Sequence, residues 1–280
     1  MPEITRRTAL KSIAAMLATG VAGCGGRSGS RSLEEQIELG SIRSGISKND
    51  IVRYWSPRQV ATAGLEDEIE DHAIERLGFD LSAVDWTISP PDDVGFYRPF
   101  VFKPRGSRSE TISTIESAEV AGSKLEQVDS IDGMLLYQPI DQPYRATIAI
   151  TPTDLVLSGG SDIVRSNLDI VPEEKQGYTS VTGVQEILDL FSEPTMLRSF
   201  RGVDTPMTSG FGYRIDGSST MCKDRWVYDD ETRSQDPEII RGAFDIADDV
   251  SITFSEGVLT ASGERPTDEI DLFEAPFIRS

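Results

Sequence analysis

Thiols, a single imidazole and many carboxylates are the groups in this sequence that could do chemistry. Cys24 follows Val21, Ala22 and Gly23, small residues that leave the backbone open to a peptidase. Its thiol is a nucleophile able to take a lipid as a thioether. Arg6 and Arg7, with Lys11, make a cationic start, and no charge follows from Ser12 to Gly23. As a helix that run would span about 18 Å against a bilayer core of about 30 Å, too short to cross, so it reads as a cleavable targeting segment. Gly25-Gly26-Arg27-Ser28-Gly29-Ser30-Arg31-Ser32 then has the composition of a flexible tether.

The pattern Thr5-Arg6-Arg7-Thr8-Ala9-Leu10-Lys11 resembles a twin-arginine export signal, and Val21-Ala22-Gly23-Cys24 resembles a lipobox. Together they predict export of an already folded protein, cleavage before Cys24 and lipidation of that residue. Cys24 and Cys222 are the two cysteines, so a lipid on Cys24 leaves no intramolecular disulfide. Cys222 falls in a predicted strand, in phase with Trp226 and Tyr228, and is expected to be a small buried hydrophobe.

The remaining reactive groups do not assemble into a catalytic set. His72 lies beside Glu68 and Glu75 on a predicted helix, where the carboxylates would favour the imidazolium and the side chain is expected to be solvated. No Gly-x-Ser-x-Gly turn is present, and one His with one available Cys does not make a zinc site. Asp229-Asp230-Glu231 and Asp248-Asp249 offer oxygen ligands to a hard cation, but the spacing of a calcium loop is absent, including around Asp129 to Gly133. These acids are expected on a solvated face. Gly210-Phe211-Gly212 lacks the third glycine of a nucleotide fingerprint, and Ser158-Gly159-Gly160-Ser161 reads as a turn from strand into helix. Trp55, Trp86 and Trp226 are expected to pack rather than bind sugars. The expectation is a non-enzyme with no cofactor and no metal.

Charge sharpens the exclusions. The formal net charge is −20, from 47 acidic against 27 basic residues, of which 6 are Lys and 21 Arg. The acids are dispersed along the chain, which predicts an acidic folded surface and excludes nucleic acid as a partner. Dispersed acid with scarce lysine also predicts a halophile's protein. In molar salt the Debye length is about 3 Å, so such a charge does not strain the fold.

The elements that must carry these residues alternate between hairpins and helices. An amphipathic piece is expected at Leu33–Leu39, and Ser56-Pro57 as a helix start. A helix is expected over Leu65–Leu77, ended by Gly78. Strands follow at Val84–Ser89 and Phe96–Phe102. A helix opened by the capping box Ser107 to Glu110 then carries Ile112, Ile115 and Glu119 or Val120. Met134–Gln138 is a strand, and Ala146–Thr151 with Leu155–Ser158 a hairpin around Pro152-Thr153-Asp154. Ser161-Asp162 caps another helix. Val184, Ile187, Leu188 and Phe191 follow the helix period. Phe211, Tyr213 and Ile215 alternate into the Asp216-Gly217 turn, and Thr220–Tyr228 returns. Asp236-Pro237-Glu238 starts a helix, and Val250, Ile252 and Phe254 lead through Glu256-Gly257 to Val258–Ala261.

This order predicts an α+β fold of antiparallel sheets built from β-hairpins with helices packed on one face. It divides as a signal at 1–23, a lipidated Cys and tether at 24–50, and α+β halves at 51–175 and 176–280. Each half reads strand, strand, helix, strand, strand, and Ile150 to Leu155 is similar to Ile252 to Val258, which suggests an internal ββαββ duplication.

Thr5–Lys11, Val21–Cys24, the stretch Leu77-Gly78-Phe79-Asp80-Leu81-Ser82-Ala83-Val84-Asp85 and the late hairpin, helix, hairpin order resemble a group of haloarchaeal twin-arginine lipoproteins without assigned function. That resemblance implies an extracytoplasmic protein held at the cell membrane by a lipid on Cys24. A non-catalytic interaction or envelope module, meeting an envelope protein or small solute, is the expectation. A solute-binding lipoprotein of a transport system and a secreted carboxylate-dependent hydrolase are the alternatives.

Overall fold

Strand pairing in this chain is antiparallel throughout, and a computed structural model describes it for residues 31–46, 51–66, 73–90, 99–143, 146–168, 178–181, 183–201, 207–228, 250–272 and 277. The strands are β1 (Val52–Trp55), β2 (Val84–Ser89), β3 (Phe100–Pro104), β4 (Glu119–Val120), β5 (Ser123–Ile131), β6 (Met134–Pro139) and β7 (Thr147–Ile150). They continue with β8 (Val156–Gly159), β9 (Met196–Arg201), β10 (Met207–Asp216), β11 (Ser219–Tyr228), β12 (Ser251–Ser255) and β13 (Val258–Pro266). All join one sheet in the order β12-β13-β11-β10-β9-β1-β2-β3-β8-β7-β6-β5-β4. The predicted hairpins β7–β8, β10–β11 and β12–β13 are present. Asp216-Gly217 turns as its composition demands, with Gly217 at φ 63° in the left-handed region.

The sheet centre comes from strands the sequence does not announce. β1 pairs with β9, setting Arg53 opposite Arg198 and Trp55 opposite Met196. Counted outward from that pair, one arm runs β1-β2-β3-β8-β7 and the other β9-β10-β11-β13-β12. In each arm a hairpin follows the central strand, and the last strand of a second hairpin docks on the outer strand of the first. The first arm carries β6, β5 and β4 beyond this pattern. The fold contains mixed helix and strand with a large antiparallel sheet, and it runs as one compact unit from Ser32 to Ser280.

The helices are α1 (Leu33–Ser44), α2 (Pro57–Thr62), α3 (Ala73–Arg76), α4 (Arg108–Ser117), α5 (Ser161–Leu168) and α6 (Val184–Leu188). α1 lies inside the expected tether. A reciprocal capping box opens it: the Glu35 N–H donates to Ser32 Oγ at 3.2 Å, and the Ser32 N–H donates to the Glu35 carboxylate at 2.9 Å. Gly45, at φ 66°, closes it. Gly40 lets α1 settle on β2, because a Cβ there would lie 2.3 Å from Ile88 Cδ1. The tether expected over 24–50 therefore gives way to folded chain from Ser32. Pro57 opens α2 as expected, but the Ser56 hydroxyl donates to the Asp85 carbonyl at 2.8 Å instead of capping the helix. Of the helix expected over Leu65–Leu77, Ala73–Arg76 is helical and Leu65 is not; 67–72, including His72, lie outside the described residues. α4 has its predicted capping box but stops at Ser117. Ala118 turns extended at ψ 157°, which releases Glu119 and Val120 into β4. α6 stops at Leu188, short of Phe191.

Alternate residues feed two cores. Trp55, Phe100, Phe102, Ile148, Phe211, Cys222 and Leu259 gather with Val60 of α2, Ile74 of α3 and Ile115 of α4. Tyr54, Ile88, Val101, Leu136 and Leu197 gather instead with Ile37 of α1, Val164 of α5 and Val184 and Ile187 of α6. Neighbours in sequence, Phe100 and Val101, thus enter different cores. Helices contribute to both cores, in place of the single covered face expected.

Candidate functional site

Cys24, Arg6 and Arg7 lie outside the described residues, as do Asp229, Asp230, Glu231, Asp248 and Asp249. The motifs that are described act structurally. Trp55, Trp86 and Trp226 are buried. Gly212 lies within β10, where a Cβ would meet the Met196 carbonyl at 3.0 Å. Ser158-Gly159-Gly160-Ser161 connects β8 to α5, with Gly159 tight against the Pro99 backbone. Asp129 is held by Arg165, whose Nη1 donates to it at 3.1 Å and keeps the carboxyl below its ordinary range. Among the described residues no group of three His, Cys, Asp or Glu gathers as a metal site.

The unusual chemistry lies on β11. Its period of two turns Thr220, Cys222, Asp224 and Trp226 toward the core that holds Trp55 and Phe211. Thr220 is satisfied by the Thr267 hydroxyl at 3.0 Å. Asp224, 2% exposed, stands in register between Phe211 on β10 and Ala261 on β13. Neither of its carboxylate oxygens makes a hydrogen bond of ordinary geometry. Burial pushes its pKa up to about 8, weakly opposed by the Phe277 backbone N–H. At neutral pH it is therefore an uncharged acid in an apolar setting. Burial, countered by Arg265 and reinforced by Asp224, pushes the Cys222 thiol up to about 12. Cys222 is the buried, unreactive thiol its strand position implies.

Around the central pair the same face is also polar. Arg53 and Arg198 sit opposite each other, and the Arg198 guanidinium lies over the Phe211 ring at 5.9 Å from its centroid. Ser89, Ser158 and Ser209, all buried, leave their hydroxyls without a hydrogen-bond partner. A shallow depression is lined by Gly78, Glu110, Ser113, Thr114, Ser117 and Ala118 along α4, remote in sequence from Asp224. An acid of pKa about 8 could transfer protons. Its strand neighbour Cys222, a thiol held protonated, supplies no nucleophile to accompany it. Asp224 was open to sequence reasoning, since it shares the phase of Cys222 and Trp226; its charge hid it.

No family model matches the chain, and no curated protein matches it. Solved structures do share its fold. Crystal form I of TP0453 is similar with a TM-score of 0.51 at 9% identity, covering 84% of this chain and 95% of that one. Crystal form III of TP0453 gives 0.50 at 8%, covering 88% and 98%.

Proposed function

We propose that this chain is an extracytoplasmic lipoprotein of a halophile, exported through Arg6 and Arg7, anchored to the cell membrane by a lipid on Cys24, and serving as a non-catalytic interaction module of the envelope. The observation that carries the reading is an order. The arginine pair, the uncharged run and Val21–Cys24 are followed, eight residues after Cys24, by the capped start of the folded unit at Ser32. Residues 25–31 then form the leash, reaching about 25 Å at full extension. Export in a folded state suits this sheet, whose central pair joins strands far apart in sequence, a kind of pairing that is intrinsically slow to form. The test is a Cys24→Ser chain expressed in a halophilic host. It should leave the membrane fraction and appear in the medium; retention in the membrane overturns the anchor.

The arms of the sheet also support descent from an internal duplication. Each pairs a preceding helix, a central strand and two hairpins: α1, β1, β2–β3 and β7–β8 against α6, β9, β10–β11 and β12–β13. β4–β6 are then an insertion in the first arm. Ile150 and Phe254 are the last residues of β7 and β12 that face the same core, so the similarity seen between Ile150 and Ile252 moves by two positions.

A further inference from the structure

Three cations gather on one face of the β10–β11 hairpin, in a chain whose net charge is −20. Lys223 stands in register with Gly212, Arg225 with Gly210, and Arg214 lies two residues beyond Gly212. Cys222 and Asp224 turn to the other side of the sheet, so Lys223 and Arg225 share the side of Phe191 and Val227. Gly212 seats the Phe191 ring, because a Cβ there would lie 3.2 Å from Phe191 Cε2. The ring in turn carries the Lys223 ammonium at 4.7 Å from its centroid and the Arg214 guanidinium at 5.9 Å. Lys223 Nζ donates to the Leu190 carbonyl at 3.0 Å. Arg225 donates to the Glu186 carbonyl from Nη1, and to Thr260 Oγ1 from Nε at 3.1 Å.

These bonds fix the cations at the end of α6 without neutralising them. Among the described residues no carboxylate forms an ion pair with Arg214, Lys223 or Arg225. Glu186 and Asp189 act on Arg225 only from a distance, and the exposed Glu264 accepts from Ser219 at 3.4 Å. Burial, then Arg225 and Arg214, lower the Lys223 pKa, as crowded like charges must. β13 sets hydroxyls beside the charges. Ser262 stands in register with Lys223 and Thr260 with Arg225, while Ala261 between them enters the other core. Thr260 Oγ1 accepts from Arg225, which leaves its own O–H to donate outward. All four residues are half-buried, and Arg214 is exposed.

We infer that Lys223, Arg225, Thr260 and Ser262, with Arg214 at the rim, bind a phosphate dianion, free or as the terminal group of a small monoester. The four positions stand about 4.8 Å apart across the strands and about 6.7 Å apart along them, a frame for one compact group. Donors at four corners match a tetrahedral oxyanion better than a flat carboxylate. Three clustered cations match two negative charges better than one. In molar salt, with a Debye length of about 3 Å, the acidic surface around the site does not repel the anion, and direct contacts decide binding.

The site goes beyond the reading of an envelope module and does not depend on the anchor. The test is equilibrium dialysis of radiolabelled inorganic phosphate against the full chain in molar potassium chloride at about pH 8, where the anion is doubly charged. One phosphate per chain should bind with a Kd at or below about 1 mM. Lys223→Gln and Arg225→Gln should each weaken binding about tenfold or more. Arg225 also holds α6, so Thr260→Val and Ser262→Ala, which leave every charge in place, supply the same test by a few-fold loss if Arg225→Gln fails to fold. Lys124→Gln, which removes a charge from β5, should change nothing. Sulfate should displace the label and acetate should not. Glycerol phosphate binding at least as tightly as phosphate assigns a monoester ligand, and weaker binding assigns the free anion. The Cys24→Ser chain should bind as the parent does, which separates failure of this site from failure of the anchor. No binding at about 1 mM phosphate overturns the inference. So does displacement by acetate as readily as by sulfate, and so does equal weakening by Lys124→Gln and Lys223→Gln.

Discussion

Trp55 and Met196 face each other across the β1–β9 pair, the contact by which residues from the two arms of the sheet meet in register. Both are almost fully buried, at 1% exposure each, and both belong to the core shared with Phe100 and Phe211. The central pair therefore ties the arms into one cooperative unit. Trp55→Ala should cost about 3–5 kcal/mol. In denaturant titrations, circular dichroism and tryptophan fluorescence should shift together to lower midpoints. Two separated transitions would show that the arms fold independently.

Asp224 makes stability depend on pH in the sense opposite to a salt-bridged acid. Its folded pKa, about 8, lies above the ordinary carboxyl value of 3.8. Between those values the folded state holds a proton that the unfolded state has released. The stability contributed is full below the unfolded value, falls as pH rises through this window, and is lost once the folded carboxyl ionises. Asp224→Asn should flatten that decline and, at pH 8 or above, raise the unfolding free energy by about a few kcal/mol in order of magnitude, seen as a higher urea midpoint. An unchanged pH profile would mean that the carboxyl is not buried as described.

Cys222 should resist alkylation. It is fully buried, with its thiol pushed up to about 12. In the native protein iodoacetamide should leave it unmodified at pH 8, and in strong denaturant it should react within minutes. Labelling in the native state, read by mass spectrometry of the peptide containing Cys222, would contradict the strand assignment.

Ser32 caps the start of the folded unit. Ser32→Ala removes a reciprocal cap and should cost about 1 kcal/mol. The local consequence should exceed the global one: proteolysis near α1 should accelerate while the rest of the sheet stays protected. The matching change at Ser107, which caps α4 in the same way, should cost a similar amount without exposing the N-terminal side.

The hairpins were legible because alternation and turn chemistry coincide. Phe211, Tyr213 and Ile215 alternate into Asp216-Gly217, and Ile252 and Phe254 into Glu256-Gly257, where Glu256 and Gly257 both take positive φ. The central strands were not legible. β1 is four residues long, and Tyr54 and Trp55 are buried in different cores, so it lacks the alternation of a half-buried strand. β5 was hidden by its exposed charges and by the shift in pairing after Gln127. α1 was half legible: an amphipathic piece was expected over Leu33–Leu39, but the stretch was counted with the Gly/Ser-rich chain it follows, and its capping box, Ser32 to Glu35, was the overlooked signal. The buried acid on β11 was masked by the assumption that a carboxylate belongs in water. The residues proposed to direct and anchor the protein owe nothing to the fold. In the proposal, peptidase, translocase and lipid transferase would read them as sequence.

The most direct measurement of the central claim is the intact mass of the protein extracted from membranes of the producing cell. The account predicts a chain that begins at Cys24 and carries the added mass of a thioether-linked lipid on that residue. A chain that still begins at Met1, or one that begins at Cys24 with an unmodified thiol, would contradict it.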